Sequence, residues 1–198
     1  MSHTEDNNVA AIKKYLTSSP GEDFWGTSAF KLDNLNATVT HFHFVAHENV
    51  DNIGDGKQPP TNHWTLFLST SSGGSVRLEA VPNEPGKPGM IIPESKPYGV
   101  STKITHKVTI DAPSGVTVAN IFDFIIKNHR DIYVFAPVGE GCRFWLWTLA
   151  GDLAAAGIIS SANAHTVQTA LGKYWPYPTG TAAVDRPMAK GEFPKAKH

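Results

Sequence analysis

The chain has 198 residues, a formal net charge of -1 and a pI near 6.7, with 40% of its residues hydrophobic and 18% charged. That balance suits one folded domain with a sizeable core. It argues against disorder, against a second full domain, and against a global basic field that would attract nucleic acid or an anionic membrane. A single cysteine, Cys142, excludes an intrachain disulfide framework and any zinc site built on two or more thiolates. The first eight residues are polar and acidic, unlike a signal peptide, and no run approaches the ~18 apolar residues of a membrane span. A cytoplasmic protein that needs no cofactor is therefore expected, with no membrane partner and an oligomeric state left open.

In chain order, residues 7–18 carry Val9, Ile12, Tyr15 and Leu16 on one helical side, and Pro20-Gly21 stops that helix. Residues 37–48 alternate, with His41, His43 and His47 on one face of a strand. A Gly/Pro/Asn/Asp-rich loop follows over 49–61. Residues 62–68 and 75–81 flank a Ser/Gly turn and predict a hairpin, in which Trp64, Leu66 and Leu68 oppose His63, Thr65 and Phe67. After a proline-rich loop over 82–97, with a short strand at 90–92, an alternating stretch over 101–110 predicts another strand. Val118, Ile121, Phe122 and Ile125 predict an amphipathic helix over 117–129, and 131–135 a short buried strand. Helices are expected over 142–157 and 161–174. Strands and helices segregated in this way indicate an α+β fold, an antiparallel sheet packed against helices. The expected organisation is a single domain over 1–178 and a Pro/Lys-rich tail over 179–198, poorly ordered or draped on the surface.

Chemistry centres on Cys142. Two glycines, Gly139 and Gly141, precede it and an apolar helical run follows, so the thiol falls in the first turn of a helix, where unpaired N–H groups and the helix dipole favour a thiolate. A cysteine nucleophile needs a base and an orienting polar group. His63, opening a strand, suits the base. Glu79, on the partner strand, is the simplest third member and Asn62 the second candidate. Arg143 would bind an anionic substrate group or face solvent. The plain alternative is an inert thiol acting as a small buried hydrophobe.

The order His63-Trp64-Thr65-Leu66-Phe67-Leu68, a turn, Arg77-Leu78-Glu79, and much later Gly141-Cys142-Arg143-Phe144-Trp145 resembles the circularly permuted papain-like superfamily. That group includes the lecithin:retinol acyltransferase-like enzymes and the PPPDE-type isopeptidases. The resemblance covers roughly residues 60–157. It implies a permuted papain-like fold with the nucleophile at a helix N-terminus, His63 as base, Glu79 in the polar third position and Phe144 as the buried aromatic. It departs from the pattern in two places: Glu79 stands where the retinoid acyltransferases usually have a second histidine, and Gly141 where an Asn often precedes the cysteine. The implied chemistry is thiolate attack on an acyl carbon, a thioester intermediate, and transfer to water, an amine or an alcohol.

The catalytic set expected is thus Cys142, His63 and Glu79, with Asn62, Trp64, Gly141, Arg143 and His43 lining a substrate cleft. The expected function is cysteine-dependent acyl or aminoacyl transfer, with hydrolase or isopeptidase action as the first alternative. Amide-bond or cyclodipeptide formation in small-molecule biosynthesis is a narrower expectation that the resemblance does not reach. The substrate would be a small molecule or an aminoacyl donor, aminoacyl-tRNA among them, although the near-neutral charge argues against a large tRNA footprint. Lys190, Lys195 and Lys197 are too sparse for an RNA-binding tail. Two other classes compete: a small-molecule-binding module that uses the chain's dense aromatics (Phe24, Trp25, Trp64, Phe144, Trp145, Trp147, Tyr174, Trp175 and Tyr177, with Trp64 and Trp145 read as core packing) without the thiol, and a metal-dependent cyclase or isomerase at His41 and His43. Spacing of two on a strand permits joint ligation, but histidines on a half-exposed strand are more often ordinary polar residues, and no metal ligand is assigned.

Overall fold

A computed structural model describes residues 2–49, 60–84 and 86–194. The loop expected over 49–61 lies, for residues 50–59, outside the described residues, as do Lys195 and Lys197. Helix α1 (Ser2–Leu16) leads through a single turn, α2 (Gly21–Phe24), and a 3-10 turn (Leu32–Asn36) into five strands: β1 (Val39–His47), β2 (His63–Thr70), β3 (Ser75–Val81), β4 (Met90–Lys96) and β5 (His106–Asp111). Then come α3 (Val118–Lys127), α4 (Cys142–Ala155) and α5 (Ser161–Leu171), and a two-residue ribbon of β6 (Lys173–Tyr174) with β7 (Val184–Asp185). The fold is α+β.

The five strands form one antiparallel sheet in the order β4-β3-β2-β1-β5. Strand alternation decides its two faces. Phe42, Phe44 and Ala46 on β1, Trp64, Leu66 and Leu68 on β2, and Val76, Leu78 and Ala80 on β3 join Ile121, Phe122, Trp145, Leu149 and Leu153 in the main core. Helix α4 packs on β2 and β3, α5 on α4 and β5, and α1 on α3. The start of α3 is fixed by a capping box, in which Thr117 accepts from the Asn120 N–H and Asn120 accepts from the Thr117 N–H. The Phe122 ring packs tilted against Trp25 at 4.9 Å and Phe30 at 5.3 Å, which ties the N-terminal segment to the helix layer.

The opposite face carries polar residues yet is largely covered. Thr65 and Phe67 are buried there, and His43 is only 8% exposed. The β4–β5 connection supplies the cover, since it must cross from one sheet edge to the other. Along the way Gly99 O accepts from Ser69 Oγ, Tyr98 O from Ser75 Oγ, and Lys103 O from His47 Nδ1.

Several boundaries differ from the sequence reading; the first helix runs from Ser2 to Leu16, and the helix expected over 161–174 ends at Leu171. The strand expected over 101–110 begins only at His106, because the crossover occupies the residues before it. The short strand expected at 90–92 runs on to Lys96, with Pro93 tolerated on an edge strand. Residues 131–135 make no strand: Val134 forms single bridges to Pro88 and Glu192. The described part of the tail, 179–194, lies mostly exposed over the surface, as the draped alternative expected, and is held there by a few contacts. Arg186 is buried, Phe193 stacks at 4.7 Å on Tyr133, and Val134 and Glu192 exchange both backbone hydrogen bonds at 2.8 Å.

Phe122→Ala, which removes a ring at 0% exposure, is expected to lower unfolding free energy by about 3–5 kcal/mol. Urea denaturation checks this; a loss under about 1 kcal/mol would mean that the N-terminal segment is not part of the cooperative core.

Candidate active site

Cys142 is the first residue of α4, and its half-buried thiol sits where that helix meets the start of β2. Three local features put it there. Residues 136–140 form a tight turn, closed by Gly139 N–H donating to Ala136 O at 2.8 Å and Ala136 N–H donating to Glu140 O at 3.0 Å. Gly139 takes φ 77°, a left-handed conformation that disfavours side chains. At Gly141 a Cβ would lie 2.5 Å from Phe135 Cδ1, so the backbone passes the ring only because the residue is glycine. The Gly141 carbonyl then accepts from Trp145 N–H at 2.9 Å and from the Tyr133 hydroxyl at 3.1 Å.

Asn62 sets the other side. Its Nδ2 donates to His47 O, Thr105 Oγ1 and Trp175 O, and its Oδ1 accepts from the Trp175 N–H. The start of β2 is thereby pinned, and His63 with it. The His63 imidazole and the Trp64 backbone N–H stand close enough to the Cys142 thiol to favour its ionised form. Glu79 Oε1 stands 2.7 Å from His63 Nε2; the side chains are 19% and 29% exposed. The ring N–H is not aligned along that vector, so the contact acts as a close ion pair. Cys142, His63 and Glu79 therefore form one line, with Glu79 rather than Asn62 in the third place.

Electrostatics follow from that line. Burial pushes the Cys142 thiol up, but the hydrogen bond and charge of His63, the Trp64 N–H and the Arg143 guanidinium outweigh it, and the thiol is lowered. Burial pulls the His63 imidazole down, while Cys142 and Glu79 hold it well above the usual histidine range. Burial likewise raises Glu79, and His63, Arg77 and His47 more than reverse it. The thiolate–imidazolium pair is lost by thiol protonation as pH falls through the depressed Cys142 value, and by imidazolium deprotonation as pH rises through the elevated His63 value. Between the two it is the favoured state.

His47 is a neighbour the sequence reading left out of the site. Its ring lies 6.4 Å from that of His63, its Nδ1 donates to Lys103 O and its Nε2 accepts from Thr65 Oγ1. Burial first, then the charges of His63 and Arg77, lower it, so it stays neutral beside the pair.

The cleft over the thiol has a volume of about 440 Å³ and is walled by Asn62, His63, Pro82, Phe135, Gly141 and Cys142, among others. A second cleft of about 560 Å³ adjoins it and shares Pro82, Phe135 and Gly139.

The remaining expected residues fall elsewhere. The Trp64 side chain is 1% exposed and belongs to the core; only its backbone serves the site. His43 does not line the cleft. Its nitrogens bond Thr109 Oγ1 and Ser69 Oγ on the covered sheet face, and burial lowers it to about 4. Arg143 borders the cleft but does not face solvent, and both its Nη atoms are engaged by the protein. It is 3% exposed and donates to Leu171 O, Arg186 O, Pro187 O and Glu140 Oε2. Phe144 is partly buried, and Trp145 is the aromatic that fills the core. Among the described residues no group of three or more His, Cys, Asp or Glu is placed to hold a metal; His41 and His43 merely stack at 5.5 Å.

These features define an α+β protein with a thiol–imidazole–carboxylate line at a helix N-terminus. Residues 42–194 match the model of the family described as a domain of unknown function, DUF7770, and the chain belongs to that family. The matched span includes every member of the line. No curated protein and no solved structure matches the chain.

Two outcomes follow from this geometry. Alkylation of Cys142 by iodoacetamide is expected to reach its plateau rate below the free-cysteine range of ~8.5, and His63→Ala to move the profile up toward that range, since the largest influence opposing burial is then lost and only the Trp64 N–H and Arg143 remain. A profile indifferent to His63→Ala would contradict the pairing. Arg143→Ala leaves three buried carbonyls without their donor and Glu140 with Arg186 alone, and is expected to lower stability by about 1–3 kcal/mol in urea titration.

Proposed function

We propose that the protein is a cysteine-dependent acyltransferase that works through a thioester intermediate. The observation that carries this reading is the close Glu79–His63 pair with the Cys142 thiol on the same imidazole. The order His63, Glu79, Cys142 and a cysteine that opens a helix also support a permuted papain-like reading of the site.

In the first half-reaction the Cys142 thiolate attacks an acyl carbonyl carbon. The C–S bond forms and the carbonyl π electrons move to oxygen. The Cys142 backbone N–H lies in the first turn of α4, has no intrahelical acceptor, and is the nearest donor for that oxyanion. Collapse expels the leaving group, which takes the His63 proton. The imidazole, held by Glu79, is the group that exchanges this proton. In the second half-reaction His63 removes a proton from the acceptor, whose lone pair attacks the thioester carbon and returns the thiolate.

Transfer is favoured over hydrolysis by the double cleft. The lobe over Cys142 suits the acyl group, and the adjoining lobe past Phe135 gives a second compound a place beside the thioester. With water in that lobe the same machinery is a hydrolase. The substrate class is a small acyl or aminoacyl donor, and amide formation is the narrower form of the reading. A net charge of -1 gives little support to a large tRNA footprint.

Incubation with small activated acyl thioesters, read by intact mass, tests this directly. The wild type is expected to gain one acyl group, lost on adding an amine as the corresponding amide appears. Cys142→Ala is expected to show no adduct and turnover reduced on the order of 10³-fold or more. Turnover unchanged in Cys142→Ala would overturn the proposal.

A further inference from the structure

The carboxylate beside His63 does not stand alone. Arg77 and Glu79 share one face of β3, two residues apart, and Glu94 is directly opposite Arg77 on β4. Arg77 Nη2 donates to Glu79 Oε2 at 2.7 Å and lies 2.6 Å from Glu94 Oε2. Lys96 Nζ is 2.8 Å from the same Glu94 oxygen. The four side chains are only 19–24% exposed. Charges thus alternate across three strands: Lys96, Glu94, Arg77, Glu79, His63 and the Cys142 thiolate.

Two facts single out Arg77. It holds the Glu79 oxygen that His63 does not use, so the carboxylate rotor has one contact on each oxygen. It is also the cation between two carboxylates. Without it Glu79 and Glu94 would face each other half-buried, and like charges so placed cannot both stay ionised cheaply. We propose that Arg77 is a positioning residue of the thiol site: it orients Glu79 toward His63, and through that contact keeps the Cys142 thiol reactive near neutrality.

Other charged groups around the line pull less on Glu79. His47 from β1 pulls on Glu79 only once it is protonated, below neutrality, and Arg143 from α4 acts on Cys142 itself. Arg77 acts on Glu79 and His47, and influences the thiol only through them.

This inference rests on the thiol-site reading above, and the experiment separates the two. Iodoacetamide alkylation of Cys142 is followed against pH in the wild type, Arg77→Met, Arg77→Lys and the double variant Arg77→Met/Glu94→Gln, with thermal unfolding as a fold control. Arg77→Met is expected to be about ten-fold slower at about pH 6 and equal to wild type at alkaline pH, where every thiol is ionised. Arg77→Lys should recover part of the rate, because it returns the charge without the fork. The double variant removes the carboxylate clash, yet should stay slow because Glu79 remains unheld. It also supplies the test if Arg77→Met does not fold.

A merely structural role would lower thermal stability and leave the pH profile in place; that outcome, in either Met variant, overturns the inference. Full recovery in the double variant would overturn it too, by showing that only the clash mattered. A wild-type thiol of ordinary reactivity would instead count against the acyltransfer reading itself.

Discussion

A thiol and an imidazole that touch in a half-buried pocket settle where one proton resides, and here the surroundings favour the imidazole. That requirement organises the molecule. Helix α4 must begin at Cys142, and β2 at His63, and both starts must meet at one end of the sheet. Gly141 allows the chain to slide past Phe135 into the helix, and Asn62 locks the strand start to Trp175. The apolar core does the rest. Trp145, Leu149 and Leu153 seat α4 on β2 and β3, so the helix delivers its first turn to the strand that carries the histidine. Packing energy thereby enforces a contact that electrostatics alone would not hold.

Around that contact lie two supporting systems of different kind. On the sheet face, alternating charges from Lys96 to Glu79 balance one another, so a carboxylate can be half-buried beside His63 without being neutralised. Behind the helix, the buried Arg143, Glu140 and Arg186 network binds the C-terminal segment to the turn that precedes Cys142. Tyr133 is its second anchor, donating to Gly141 O and accepting from Gly191 N–H. The C-terminal segment therefore belongs to the site's rigidity, although it contributes nothing to the thiol line itself.

The thiol line was largely legible in the sequence because its parts have local signatures. Two glycines before an apolar run announce a helix start at Cys142, and period-two alternation puts His63 and Glu79 on one face of a hairpin. What stayed hidden depends on register and on tertiary cover. Arg77 and Glu94 meet only once β3 and β4 are paired, and nothing local announces that pairing. His43 and His47 look equivalent by parity, yet the β4–β5 crossover lies over both and only His47 reaches the site. Arg143 beside a helix start looks exposed until the tail folds over it. A Pro/Lys-rich composition reads as loose chain and conceals Arg186 and Phe193, the residues by which the described part of that tail is held.

A line of carboxylate, imidazole and thiol at the first turn of a helix, with a double cleft in front, is what the proposed acyl transfer rests on. The whole reading rests on the thiol being ionised in the folded protein. Because Cys142 is the sole cysteine, ultraviolet thiolate absorption, taken as the difference between wild type and Cys142→Ala across a pH titration, reports on it alone. The arrangement requires thiolate absorption to persist below about pH 7. Absorption that emerges only at or above the free-cysteine range of ~8.5 would contradict it.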